Sequence, residues 1–370
     1  MLLAATLIAL ALLAYTYAGY PLLIAALSRL RPLPVRTDEG YRPTVTVCMA
    51  AWNGAAHLAR KVESLAALDY PPELLEILIY SDGSSDSTVE LAERLAARDP
   101  RIRCLRSTER LGKPTALNAM REAAGGEVLL MTDVRQPLEP GSLRALLRVL
   151  ADPRVGCDSG NLTLRVPAGA GFYWSYENRI RAAEGRFRSM VGVSGSIYVV
   201  RRADLAPVPA ELILDDMFIP MRLRLAGRRI AYAADAVAYD EAFSDEREFG
   251  RKTRTLAGNV QLFTLLPQLL WSPGTLFELY SHKVLRLLGP FLLAFLLTVS
   301  TLAALVEAHP PWLESGVRAL VLGQLAFYAL ALLGGRGGKL GVVARTFVVM
   351  NLAALVGMWR FARGAQRVTW

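Results

Sequence analysis

Charge and cysteine are both scarce in this 370-residue sequence. Charged residues make up 20% of it against 53% hydrophobic ones, a balance too apolar for a purely soluble chain and incompatible with a disordered one. The three cysteines, Cys48, Cys104 and Cys157, are odd in number and lack the spacing of metal ligands. They exclude a secreted disulfide scaffold and read as small buried side chains in a reducing compartment. His57 and His282 stand alone and offer no metal site. No internal repeat appears. A net charge of +9 leaves nucleic acid, anionic lipid and an anionic substrate open as partners. The arginines are scattered or lie beside apolar runs rather than forming one basic face with interleaved aromatics, which argues against nucleic acid.

What the sequence has in quantity is long apolar runs. Residues 1–27 carry no charged side chain, and about 20 residues of helix already cross a bilayer core. A signal peptide would need a basic leader and an apolar run of only about 7–15 residues. Arg29, Arg31, Arg36 and Arg42 follow this run and no Lys or Arg precedes it, so the positive-inside rule puts the following domain in the cytoplasm. A multi-pass protein of the inner membrane is the expectation. Further runs occupy 284–308, 317–335 and 340–358. The loop from His309 to Gly316 has no Lys or Arg and reads as external, whereas Arg336 and Lys339 make the next loop cytoplasmic. Whether 340–358 crosses stays open, because Arg345 lies inside it and Arg360, Arg363 and Arg367 lie beyond it. Residues 258–272, broken by Pro267 and flanked by Trp271, read as a helix lying in the membrane interface. A transporter would place its ionisable groups within the spans. Here they concentrate in the middle of the chain.

Residues 42–257 change character to short β-rich runs alternating with amphipathic helices, the pattern of parallel strands joined by crossovers. Strands are expected at 44–50, 76–81, 102–105 and 127–131. Leu58, Val62, Leu65 and Asp69 fall at helical spacing between the first two, and Ser87 with Glu90 forms a capping box for a helix running to about Ala97. In open parallel sheets ligands bind beyond the carboxyl ends of the strands. Asn53, Asp82 and Asp133 stand at three such ends, with Gly112-Lys113-Pro114 before a helix that contains Asn118. Each also has a bland use as a turn, cap or solvated charge. Together they offer carboxylates for ribose hydroxyls and a metal ion, and a cation for a diphosphate.

In this order, Asn53, Ser81-Asp82-Gly83-Ser84-Ser85-Asp86, the run RLGKPTALNAM (residues 110–120) and Thr132-Asp133 resemble the nucleotide-sugar half of a family 2 glycosyltransferase of the GT-A fold. Gly192-Val193-Ser194-Gly195-Ser196 resembles the family's acceptor-side loop, Asp215-Asp216 its acidic catalytic pair, and the segment Arg251 to Thr255 its Gln-x-x-Arg-Trp motif. The resemblance covers about 42–262. With flanking spans it points to the membrane polysaccharide synthases, relatives of cellulose, hyaluronan and poly-N-acetylglucosamine synthases.

The resemblance implies an α/β, Rossmann-like cytoplasmic domain moving a sugar with inversion from a nucleotide sugar, a UDP-sugar foremost, to a growing polysaccharide; the alternative is a non-processive transferase with a lipid-linked acceptor. It gives Asp216 the role of general base. Asn53, Asp82, Lys113 and Asp133 go to the donor nucleotide, and Gly195, Asp215, Arg251 and Arg254 to the acceptor and diphosphate. Asp133 would hold Mg²⁺ or Mn²⁺. The family's second acidic position is Arg135 here, either offsetting diphosphate charge or pointing into solvent, and Thr255 replaces the motif's tryptophan. Trp174, Tyr173 and Tyr176 either stack on an acceptor sugar or belong to the core. A homo-oligomer or an export partner would complete a channel that three spans alone make thin.

Overall fold

The computed structural model describes residues 1–165, 172–241, 245–308 and 310–366. In chain order, α1 (Leu2–Ala14) passes through one π turn into α2 (Tyr20–Leu30). There follow β1 (Val45–Ala51), α3 (Ala55–Ala66), β2 (Leu75–Asp82), α4 (Thr88–Ala96), β3 (Ile102–Ser107), α5 (Lys113–Ala123) and β4 (Val128–Met131). Next come α6 (Ser142–Leu150), β5 (Val155–Arg165), α7 (Phe172–Phe187), β6 (Tyr198–Arg201), α8 (Asp215–Leu225) and β7 (Arg229–Glu241). The last helices are α9 (Asp245–Leu265), α10 (Leu276–Leu279), α11 (Leu285–Val306), α12 (Pro311–Leu333) and α13 (Gly338–Ala362). The chain divides into a sheet unit, mainly Ile24–Ala242 with Gln261–Leu276, and a helical unit of Met1–Leu23, Phe243–Val260 and Phe277–Gln366.

Among the described residues the sheet unit holds a seven-stranded sheet in the order β3-β2-β1-β4-β6-β5-β7. Every residue of β1 is buried, as a strand covered on both faces requires, and this is why its sequence is a nearly unbroken apolar run. Leu58, Val62 and Leu65 of α3 and Leu143, Leu146 and Leu150 of α6 pack against Val45, Val47 and Met49, each buried large side chain contributing about 1.5–3 kcal/mol. Helix α3 stops at Ala66, so Asp69 lies beyond it and pairs instead with Arg144 at 2.8 Å.

Two expectations need correction. The sheet is mixed: β1 to β4 are parallel neighbours in the expected way, whereas β6 runs antiparallel to both β4 and β5. The reversal follows the 192–196 loop, which turns on a bond from Ile197 N to Ser194 O (3.0 Å). Two antiparallel steps cancel, so β5 and β7 again point the same way as β4, and their carboxyl ends share its edge. The capping box also fails to form. Ser87 is the N-cap of α4 but its side chain caps no amide; Asp86 accepts from Thr88 N at 3.0 Å instead.

The helices Leu2–Leu30, Leu276–Val306 and Pro311–Ala362, which lie in the helical unit except for Ile24–Leu30 and Leu276, are long and apolar enough to span a membrane. The third is a hairpin of α12 and α13 about a turn at Gly334–Gly337, with the Phe327 and Phe347 rings 5.6 Å apart across it. A β-carbon on Gly334 would lie 3.1 Å from the Arg345 side chain, so this arginine reaches back to the hairpin turn rather than along the helix. Tyr17 donates to Asn351 Oδ1 (3.2 Å) and Gln324 to Ser300 (3.1 Å), polar ties between apolar helices. Helix α9 runs unbroken to Leu265, so a boundary at 257 falls inside it. Of the segment 258–272 only the short turn Pro267–Leu270 forms a separate element, because Pro267 removes an amide donor. His309 and Arg367 lie outside the described residues.

Candidate active site

The loops after β1 and β2 are clipped together by Asn53. Its backbone is left-handed, φ 48°, a conformation that asparagine tolerates better than most residues. Its Oδ1 accepts from Ser85 N at 2.8 Å, and its own amide donates to Ser84 Oγ at 3.1 Å. Asn53 therefore builds the rim that a donor would meet. Asp82 is fully buried, and its carboxylate receives the amides of Leu111 (2.8 Å) and Gly112 (2.9 Å). The residue expected to hold base or ribose thus holds the loop that launches α5. Only glycine fits beside it: Gly83 has φ +61°, and a β-carbon there would come within 2.6 Å of Arg110 N. On the same rim the Arg110 guanidinium lies 3.4 Å from the Trp52 ring centre.

Lys113, at the first turn of α5, is the hub. Its Nζ lies 3.1 Å from Asp133 Oδ1 at the end of β4 and 3.2 Å from Asp215 Oδ2 at the start of α8. The second contact is an ion pair whose geometry falls short of a hydrogen bond. Burial alone would lower the lysine's pKa, yet Asp133, Asp215 and Asp216 outweigh it and raise it, so Lys113 stays charged. Asp133 keeps 40% of its side chain exposed and can take a further ligand.

Asp215 and Asp216 diverge around the helix as adjacent residues must. Asp215 meets Lys113, while Asp216 faces the 192–196 loop, where a β-carbon on Gly195 would lie 3.4 Å from its Oδ2. Val193 N bonds Asp216 O at 2.9 Å and fixes the loop to the helix start. Gly192 has φ +153°, where L side chains are strained, and a β-carbon there would have to displace the Met217 side chain. Asp216 Oδ1 is buried with no partner among the described residues. Burial first, then the neighbouring Asp215, push its pKa up to about 6, with Lys113 and Arg181 pulling the other way. A carboxylate that is short of partners and ionised just below neutrality is suited to accept a proton.

Three residues, Lys61, Asp240 and Trp52, escaped the sequence reading. Lys61 of α3 is 1% exposed, and burial pushes its pKa down to about 7. Its Nζ donates to Thr132 Oγ1 (2.7 Å) and Gln136 O (2.5 Å), bracing both ends of the loop that bears Asp133. Thr132 Oγ1 in turn donates to Ser196 O at 2.7 Å, linking that loop to the one beside Asp216. Arg135 is neither solvated nor aimed at an open charge, for it pairs with the buried Asp240, which also accepts from Gln136 at 2.9 Å. No pattern in the sequence marks Lys61 because its apolar stem shares the buried stripe of α3; Trp52 is the third. Lys61→Met should keep the fold and weaken nucleotide affinity about tenfold by freeing this loop. Calorimetry giving parent affinity would show that the brace is dispensable.

Arg251 and Arg254 lie on α9 in the helical unit, where Arg251 stands 3.8 Å from Glu248. Trp174 and Tyr176 are partly buried on α7, Trp174 against the core, and the Tyr173 side chain lies outside the described residues.

No group of three or more metal-ligating side chains converges among the described residues. Mg²⁺ and Mn²⁺ held through substrate phosphates need only one or two carboxylates beside retained waters. The exposed Asp133 fits an ion of that kind.

Residues 46–203 match the family model "Glycosyl transferase family 2". An N-acetylglucosaminyltransferase of Bradyrhizobium diazoefficiens is 26% identical over 299 residues, 73% of this chain and 59% of that protein. This chain therefore spans about three fifths of that relative's length. The chondroitin synthase of Pasteurella multocida is 32% identical over 127 residues, 34% of this chain and 13% of that protein. Among solved structures, the mannosyltransferase PcManGT from Pyrobaculum calidifontis, in complex with GDP-Man and Mn²⁺, superposes with a TM-score of 0.77 at 24% identity, covering 97% of this chain and 99% of that one.

Proposed function

Because residues 46–203 form a family 2 glycosyltransferase domain of the GT-A fold, we propose that the protein is a membrane-anchored inverting glycosyltransferase that moves a sugar from a nucleoside-diphosphate donor, a UDP-sugar first among candidates, to a growing polysaccharide. The observation that carries this reading is Lys113, whose ammonium joins the donor-side Asp133 to the acidic pair of α8. A diphosphate arriving there exchanges carboxylate partners of Lys113 for phosphate oxygens. A divalent ion on Asp133, when bound, supplies Lewis-acid compensation for the leaving diphosphate, and the complexed mannosyltransferase supports such an ion. Trp52 with Arg110 offers a flat cationic face for a base. Asp216 takes the acceptor hydroxyl's proton as that oxygen displaces the nucleotide at the anomeric carbon. Thr255 in place of an aromatic favours a second reading, single transfers to a lipid-linked acceptor.

Purified protein with UDP- and GDP-sugars and Mg²⁺ or Mn²⁺ should release nucleotide from at least one donor and lose that activity in excess EDTA. Release from none would refute the reading, and full activity in EDTA would refute the metal. The arginines at 29–42 support a cytoplasmic domain in a cell bounded by an inner membrane. A cysteine substituted at Ser87 should resist an impermeant thiol reagent in intact cells; its labelling would reverse the orientation.

A further inference from the structure

A cavity of about 390 Å³ opens at the carboxyl half of β5. It exists because β5 and β7 lose register: Ser159 pairs with Tyr232, whereas Asn161 pairs with Val237, so the intervening residues of β7 bow away from their neighbour. Pockets that enclose small ligands measure roughly 300–1,000 Å³. The lining is not that of a packing fault. Trp174, Ser175, Asn178 and Arg179 come from α7, Asn161 from β5 and Tyr232 from β7. The cavity is open to solvent and combines apolar surface with a few polar groups, the make-up of sites that take small ligands.

Asn178 Nδ2 donates to Asn161 Oδ1 at 2.6 Å and to Leu162 O at 3.3 Å. This leaves Asn178 Oδ1 buried with no partner among the described residues, an acceptor that something entering the cavity can satisfy. Trp174 packs against the core and still lines the space. The location suits the reaction too. β5 is parallel to β4, so the cavity lies on the sheet edge that carries Asp133.

An indole with amide, hydroxyl and guanidinium groups around it matches a pyranose ring, whose C–H face stacks on an aromatic while its hydroxyls bond in the ring plane. We propose that this cavity is a subsite for a pyranose ring of the acceptor, so that the acceptor is a glycan recognised by its sugars. The assignment rests on the transferase reading above. It also separates the two acceptor classes, because a carrier recognised through its lipid alone would leave the cavity idle.

The test is binding of short neutral oligosaccharides, β-linked glucose, N-acetylglucosamine and mannose series, to the full chain in detergent, followed by saturation-transfer NMR and calorimetry. At least one series should bind. Trp174→Ala should weaken it at least about tenfold and Asn178→Ala about threefold to tenfold, while nucleotide affinity stays within about twofold of the parent. Because Trp174 touches the core and Asn178 ties α7 to β5, melting temperatures are read for both variants, and Ser175→Ala, at an exposed position, serves as the variant that leaves packing intact. Binding by no series, or equal affinity in Trp174→Ala and Asn178→Ala, would overturn the subsite. Nucleotide binding without oligosaccharide binding would sink this inference alone, whereas absence of nucleotide binding would sink the transferase reading.

Discussion

Asp216→Asn should cut sugar transfer about 10²–10⁴-fold while nucleotide affinity remains near that of the parent, because the amide keeps the shape of the side chain and removes its proton acceptor. The parent's activity should show an ascending limb centred near pH 6. The sign follows from the environment: burial and Asp215 raise the pKa of Asp216 to about 6, and the protonated form, dominant below that pH, cannot act as a base. The same shift makes the ionised residue a burden on stability above pH 6, since its pKa is higher folded than unfolded and the folded state gives up its extra proton as pH rises through this window. The Asn variant should therefore melt no lower than the parent at pH 7. A variant that loses activity and also melts well below the parent would mark Asp216 as structural. If instead Asp215→Asn loses transfer and Asp216→Asn does not, the base is the neighbouring residue.

Lys113→Ala should weaken nucleotide-diphosphate binding about 10- to 150-fold, the range expected for losing charge-assisted bonds of about 1.5–3 kcal/mol. The lysine stands 3.1 Å from Asp133 and 3.2 Å from Asp215, so its removal leaves these carboxylates uncompensated where a dianionic group must enter. A second readout separates this from unspecific damage. Lys113 holds the pKa of Asp216 down, so in the variant the ascending limb of the pH profile should move to higher pH. Calorimetry showing unchanged affinity, with an unmoved limb, would remove Lys113 from the site.

Much of this site was legible in the sequence, since a parallel sheet gathers its strand ends and turn-forming polar residues after apolar runs reveal them. Asn53, Lys113, Asp133 and the Asp215-Asp216 pair all fall in the sheet unit, with Lys113 drawing Asp133 and Asp215 together. Their partners were harder to foresee. Asp82 reads as an open strand-end carboxylate, yet two backbone amides of a distant loop claim it. Arg135 reads as a replaced metal ligand, and its partner Asp240 lies more than a hundred residues away on a strand that periodicity did not locate. Lys61 was hidden for a different reason: a lysine on a buried helical stripe looks like a solvated charge until the fold supplies Thr132 and Gln136 O beneath it. Ion pairs and braces of this kind depend on tertiary neighbours, which spacing along the chain does not record. The antiparallel β6 escaped likewise, because a strand of four residues, three of them buried, carries no mark of direction.

The most direct test of the whole account is the anomeric configuration of the product. With the donor that the protein turns over and its acceptor, proton NMR of the new glycosidic linkage should show the configuration opposite to that in the nucleotide sugar. Single displacement by a hydroxyl deprotonated at Asp216 allows no other outcome. A product that retains the donor's configuration would contradict the mechanism and, with it, the role of Asp216.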